Sequence, residues 1–403
     1  MKKKITLIGV NYYPEDSAIG LYSTQLTEEL VKRGYEVSVI TAFPYYPQWE
    51  ISESYKNHPK FHNETINDVS VYRYKMYVPK NPTFGRRILH ILSFTMGNFI
   101  NLFKLGRQDI VIAIVPFTSS VFLGWLLKLR YSSKLWVHIQ DFEFDAAIDS
   151  GVISKNKALL IKPLFSFEKW LLNRANMVST ISLGMLDKLK SKSKSKSYLL
   201  TNWLDIEKFR LNHPEPHRHL TSNSFKILYS GNIGAKQDWD VFFELMDKIK
   251  IIPNLEVIVV GEGALKDVVC KRIENYNFIK HYDLVPFSEL PSLLYSADLH
   301  VLLQKEDVID IVMPSKILGM MGSGRPSLVT GNKKSEVRAI IDQSKGGYYF
   351  SNAELDKMQN VIENLVNNPK LKEEIGQSAK TYVEKNYAKE NVLNDFVEEL
   401  KLL

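Results

Sequence analysis

Residues 227–237 read ILYSGNIGAKQ, an apolar run that enters a Gly-rich turn and ends on a lysine. Such a turn is a phosphate-holding device: backbone N–H groups freed by Gly231 and Gly234 can face an anion, and Lys236 supplies a point charge. Further along, Leu299–Leu303 reads as a buried strand that leads through Met313, Pro314, Ser315 and Lys316 into a helix. A turn with Gly and Lys is also ordinary strand-to-helix punctuation. Two such cradles in one half of the chain point to a diphosphate ligand.

The surroundings alternate in the same way. Strand-like runs at 5–10, 37–42, 110–115, 135–139 and 177–180 are separated by helical patterns at 20–33, 119–129, 162–172 and 182–190. After them come strands at 226–230, 255–260, 279–282, 299–303 and 327–330. Alternation of this kind predicts an α/β fold with two Rossmann-like, doubly wound domains, each a parallel sheet with helices on both faces. Ligands of such sheets bind beyond the carboxyl ends of the strands, and facing domains would share one cleft there. Residues 190–197 alternate Lys and Ser and read as a solvated loop, and 213–223 is rich in Pro, His, Ser and Asn. The domain boundary is therefore expected near 205–224, giving domains 1–205 and 206–386. Terminal helices are expected at 352–367, 370–386 and 391–402, with Ser351 and Glu354 as a capping box.

Composition narrows the class. With 403 residues, 45% apolar and 24% charged, the chain reads as a globular protein larger than one ordinary domain. A single cysteine, Cys270, excludes an intramolecular disulfide and a Cys-based metal cluster and fits a reducing compartment. Lys2–Lys4 precede only a short apolar run before Asn11 and Pro14, so no signal peptide is expected and the setting reads as cytoplasmic. The longest apolar region, 88–103, contains His90, Asn98 and Asn101 and falls short of the roughly twenty residues that span a bilayer. Residues 1–201 hold 27 Lys plus Arg against 16 Asp plus Glu, a net +11, whereas 202–403 hold 25 against 29. Arg86, Arg87, Lys104 and Arg107 bracket the apolar region, the pattern of a helix lying in an anionic membrane surface. A core helix with charged ends is the plainer alternative. Binding of nucleic acid is the less favoured reading of the basic half.

Five ordered stretches carry a family resemblance: NYYPEDSAIG (11–20), TAFPYYPQW (41–49), HIQDFEFDA (138–146), SGNIGAKQ (230–237) and MPSKILGMMGSGRP (313–326), with TNWLDIEKF (201–209) as a weaker sixth. Together they resemble the family 4 glycosyltransferases, GT-B enzymes that move a sugar from a nucleotide diphosphate, and among these the colanic-acid-type and amino-sugar transferases of bacterial polysaccharide biosynthesis. The resemblance runs from Asn11 to about Phe396. It implies a GT-B fold whose last helix, about 387–403, crosses back to the first domain. It further implies retaining transfer from a nucleotide-sugar donor, UDP favoured and GDP possible, to a polyprenyl-diphosphate-linked saccharide at the inner face of the cytoplasmic membrane. The product would be capsule, O-antigen or exopolysaccharide.

Residue by residue, the resemblance makes His138, Lys236 and Lys316 the catalytic set. The lysines would neutralise the departing diphosphate, and His138 would touch the transferred sugar or its acceptor. Gly20, Ser230, Gly231, Asn232 and Ser315 would lie along the donor diphosphate, with Glu262 and Val285 at its ribose and base. Tyr13 and Asp141 would serve the acceptor side, with Glu143 and Asp145 near them. The chain departs from the family pattern at Asn232, where an arginine often follows the glycine, and at Gly319, where the second glutamate of Glu-x7-Glu would stand. Asp310 is the candidate substitute carboxylate. No Asp-x-Asp pair sits at a strand end, and Glu306, Asp307 and Asp310 read as a loose acidic loop, so neither metal nor other cofactor is expected.

Three other readings compete. An NAD-dependent oxidoreductase would need a Gly-x-Gly-x-x-Gly after the first strand and an acidic end to the second, and the chain has neither. A GT-B sugar-nucleotide epimerase or hydrolase would not need the basic, apolar first half. A noncatalytic scaffold would not need His138, Lys236 and Lys316.

Overall fold

The run Ile110–Val115, IVIAIV, is buried at every position. A strand without a polar face must be covered on both sides, which is the condition of a parallel sheet flanked by helices. The computed structural model describes residues 2–16, 18–81, 83–145, 162–210, 215–307 and 315–403. Its contacts divide the chain into two compact units, Met1–Thr201 with Leu393–Leu403, and Asn202–Val392.

Unit 1 contains β1 (Lys4–Ile8), α1 (Ala18–Lys32), β2 (Glu36–Ala42), β3 (Phe61–Ile66), β4 (Val69–Tyr74), α2 (Phe84–Leu102), β5 (Ile110–Val115), α3 (Thr118–Tyr131), β6 (Lys134–Ile139), α4 (Lys162–Leu172), β7 (Met177–Thr180), α5 (Leu183–Lys192) and β8 (Lys196–Leu199). Its sheet has the order β3-β4-β2-β1-β5-β6-β7-β8. All pairs are parallel except β3 with β4. The crossovers carrying α2, α3 and α4 run the same way across the sheet, opposite to the one carrying α1. Right-handed connection therefore puts those three helices on one face and α1 on the other.

Unit 2 contains β9 (Phe225–Ser230), α6 (Trp239–Ile249), β10 (Leu255–Val260), α7 (Lys266–Ile273), β11 (Ile279–Tyr282), α8 (Leu290–Tyr295), β12 (Leu299–Leu303), α9 (Ser315–Gly322), β13 (Ser327–Thr330), α10 (Glu336–Ser344), β14 (Gly347–Phe350), α11 (Leu355–Asn367) and α12 (Pro369–Asn386). The sheet is parallel throughout, in the order β11-β10-β9-β12-β13-β14. Alternate residues of each strand feed opposite cores: Leu228 and Ile258 enter one, Ile227 and Val257 the other. The chain leaves β9 in one direction to β10 and β11, then returns to β12 on the other side of β9. The strand order thus reverses between β9 and β12, the place beyond whose carboxyl ends open α/β sheets bind ligands.

The last helix, α13 (Lys389–Lys401), begins in unit 2, and its residues from Leu393 onward group with unit 1. There the Phe396 ring meets Trp136 edge-on at 4.8 Å. Among the described residues no helix is long and apolar enough to cross a membrane.

Four strands, β3, β4, β8 and β14, were not anticipated from the sequence. Residues 190–197, expected to be a solvated loop, instead hold the end of α5 and the start of β8. Lys/Ser alternation is also the two-residue period of an edge strand, and Lys196 pairs with Glu399 there. Glu354 does accept from Ser351 N at 2.8 Å, as in half a capping box, but the helix starts one residue after it.

Candidate functional site

The two sequence cradles meet at the β9/β12 reversal. Gly231 follows β9 with φ +132°, a conformation that L side chains rarely adopt. A Cβ there would lie 3.2 Å from Lys316 Nζ, so the ammonium at the start of α9 rests against the Gly231 backbone. Tyr229 holds both parts. Its ring centroid is 4.9 Å from Lys316 Nζ, its hydroxyl is 3.5 Å from the same nitrogen, and that hydroxyl donates to Asn232 O at 2.6 Å.

The glycine amides themselves do not face an anion, contrary to the sequence expectation. Gly231 N donates to Val260 O at 2.9 Å, and Gly234 N to Gln237 Oε1 at 3.1 Å. Among the described residues the amides of Asn232, Ala235 and Lys236 donate no hydrogen bond, so they are the open N–H groups of the turn. The glycines contribute room. Cβ atoms at Gly234 and Gly263 would each fall 2.6 Å from the Asn232 amide, so two glycines lodge the side chain that stands where an arginine often does. Lys236 is exposed and makes no ion pair among the described residues.

The remaining unit 2 candidates have defined neighbours. Ser230 ends β9, and Ser315 opens α9. Glu262, just past β10, accepts from Lys266 Nζ at 2.6 Å, and the same ammonium reaches Asp283 at 2.6 Å. Val285 packs against the core in the loop after β11. A Cβ at Gly319 would lie 3.1 Å from Leu294 Cδ1, so that position faces a core. Asp310 lies outside the described residues.

In unit 1, Gly20 is buried in the first turn of α1, and its carbonyl accepts from Thr24 Oγ1 at 2.8 Å. Tyr13 is exposed, while its amide donates to Thr24 Oγ1 at 3.0 Å. Two residues passed over in the sequence organise these loops. Glu15 Oε1 accepts from the amides of Tyr45 and Tyr46 at 2.6 and 2.7 Å, and Oε2 from Asn11 Nδ2 at 2.7 Å. Burial nevertheless holds its carboxyl above the usual range. Arg73, fully buried, donates to Ala42 O at 3.1 Å, to Tyr13 O and to Glu64. An arginine at an inward position of VSVYRY was the available signal, because a buried charge must be paired.

His138 lies on β6 and is 3% exposed. Gln140 Nε2 donates to its Nε2 at 2.9 Å, which leaves the proton on Nδ1 to be donated to Ser179 Oγ at 2.9 Å. Ser179 Oγ also accepts from Trp136 Nε1 at 2.7 Å. Burial pulls the imidazole down to about 3, so the ring is neutral, and it can reach a ligand through Nε2 only when Gln140 lets go. Asp141, next in the loop, is half-buried. Glu143 accepts from Thr118 N at 2.6 Å at the start of α3, and Asp145 pairs with Lys188 at 2.7 Å and with Lys192 at 2.5 Å.

Comparison with known proteins decides the family. Residues 17–193 match the Glycosyl transferase 4-like domain and residues 215–382 the Glycosyl transferases group 1 family. WcaI of Escherichia coli (strain K12), named as a colanic acid biosynthesis glycosyl transferase, is 31% identical over 412 residues, covering 99% of this chain and 100% of that relative. The chain belongs to the family 4 glycosyltransferases. Solved structures agree on the GT-B fold. Sucrose-phosphate synthase from Thermosynechococcus elongatus superposes with a TM-score of 0.72 at 14% identity, over 100% of this chain and 99% of that one. Anabaena HepE in complex with UDP and glucose gives 0.71 at 13% identity over the whole of both chains. In this glycosyltransferase, Lys316 and the Gly231 turn belong to the unit that carries the group 1 match.

Proposed function

We propose that this glycosyltransferase moves a sugar, with retention of anomeric configuration, from a UDP-sugar to a polyprenyl-diphosphate-linked saccharide during cell-surface polysaccharide assembly. Unit 2 holds the donor and unit 1 the acceptor, against the inner face of the cytoplasmic membrane. One observation carries the donor assignment: Lys316 Nζ lies over the Gly231 turn, next to open amides and at a strand-order reversal. UDP is favoured over GDP because HepE, which shares the fold, was solved with UDP and glucose. The polysaccharide context follows the designation of WcaI. The outward apolar face of α2 and the basic balance of unit 1 favour a lipid-linked acceptor.

The chemistry follows from charge. As the bond from the sugar C1 to the diphosphate oxygen breaks, negative charge grows on the leaving group, and Lys316, Lys236 and the amides of Asn232, Ala235 and Lys236 stabilise it. The acceptor hydroxyl bonds to C1 on the same face, and its proton passes to the departing phosphate oxygen. That step calls for neither a protein base nor a metal. His138 is neutral and acts as a hydrogen-bonding partner of the sugar or acceptor.

Titration calorimetry with UDP, GDP and TDP, without added metal, on the parent and on Lys316→Ala tests the reading. Binding of UDP that weakens in the variant is expected. Equal binding by parent and variant would remove Lys316 from the donor site.

A further inference from the structure

Exposed apolar side chains of unit 1 gather on three neighbouring helices, α2, α3 and α4. On α2, Ile88, Leu92, Met96 and Phe99 recur at three- and four-residue spacing and continue to Phe103, with Met96 72% and Phe103 61% exposed. Next to α2 lies α3, whose Arg130 guanidinium sits 5.0 Å from the Phe103 ring. Beyond α3 lies α4, and the two meet through aromatic rings: Trp125 and Trp170 edge-on at 4.9 Å, Phe122 and Phe167 at 6.2 Å. Trp170 and Phe167 remain 38% and 40% exposed on the outer side.

The charges on these helices are of one sign. They carry six cations, Arg86, Arg87, Lys128, Arg130, Lys162 and Lys169, and a single carboxylate, Glu168. Glu168 is buried and pairs with Lys192 at 2.6 Å, so no carboxylate from the three helices reaches the surface. A protein partner of ordinary composition presents both signs of charge, whereas an anionic bilayer presents one, over an apolar interior. Half-exposed tryptophans flanked by cations are the side chains that settle at the headgroup level.

We propose that unit 1 docks on an anionic lipid surface along α2, α3 and α4 together, with the Trp125/Trp170 ridge as a second anchor beside α2. This inference rests on the membrane reading above and adds the extent and orientation of the contact. The test uses the full chain and phosphatidylcholine vesicles with and without phosphatidylglycerol, scored by co-sedimentation and by quenching of tryptophan fluorescence by brominated lipids. Quenching in the parent that diminishes in Trp170→Phe is expected. Phe167→Ser/Trp170→Ser should lose at least about tenfold in vesicle affinity, as two large apolar side chains leave the interface. Lys169→Glu, an exposed change that leaves the aromatic packing intact, should lose about tenfold on anionic vesicles alone. If both α4 variants bind like the parent while Met96→Glu does not, the ridge is overturned and docking by α2 survives. If the parent binds neither vesicle, both fall.

Discussion

The loops after the first strand of each unit handle backbone amides in opposite ways. Beyond β1 the chain supplies its own anion: the Glu15 carboxylate fills the amides of Tyr45 and Tyr46. Beyond β9 the amides of Asn232, Ala235 and Lys236 are left open, and the nearest charged group over the turn is the Lys316 ammonium. The same fold therefore yields one loop whose amides are taken by a carboxylate and one whose amides are open. Phosphate should be drawn to the Gly231 turn by the local Lys316 ammonium, even though unit 2 as a whole is the less basic of the two.

That contrast can be broken from either side. The largest effect is expected at Lys316→Ala, which should lower turnover by about a hundredfold, roughly 3 kcal/mol of transition-state stabilisation, with Lys236→Ala losing less because its side chain is exposed. Steady-state rates of both variants with a UDP-sugar check this, and near-parental rates in both would remove the lysines from the site. Next, Glu15→Ala leaves two amides without their acceptor and should cost about 2 kcal/mol of unit 1 stability while UDP affinity stays unchanged. Denaturant melts beside calorimetry separate the two, and a parallel loss of UDP binding would contradict the division of labour.

A symmetrical effect is expected from acid. His138 in unit 1 and His300 in unit 2 are both buried and pulled down to about 3, against about 6.5 for an unfolded histidine. A depressed histidine favours the folded state while neutral, so its contribution is complete above about pH 6.5 and declines as the pH falls toward 3. Denaturation midpoints across that range should fall in both units. The rate profile, by contrast, should show no step near pH 6.5 from His138, and such a step would mean that its ring opens to solvent.

Much of this was legible in the sequence because buried parallel strands are continuous apolar runs: Ile110–Val115 and Leu255–Val260 read directly. The edges were not legible: β3 and β8 are half-buried and polar enough to pass for loops, and β14, GYYF, is only four residues long. One signal was available for β3 and β4. Asn67 and Asp68 both take positive φ, 48° and 63°, the tight hairpin turn that favours those residues. Lys316 was readable because its motif is local. Glu15 was not, because the amides it serves lie on another loop, and Arg73 showed only as a buried charge in VSVYRY, without its partners. His138 showed the opposite difficulty, for a histidine at a strand end looks the same whether it meets a ligand or, as with Ser179 and Gln140, its own neighbours.

The passage of α13 into unit 1 bears on the order in which the protein can be made. Residues 393–403 emerge from the ribosome after all of unit 2, yet Phe396 covers the Trp136 ring in the middle of the unit 1 sheet. Unit 1, first to be synthesised, is thus the later to be completed, and its nascent sheet lacks the cover of Phe396 on Trp136 while unit 2 is built. A chain ending at Val392 should hold that incomplete state, with Trp136 open to a soluble quencher that cannot reach it in the parent.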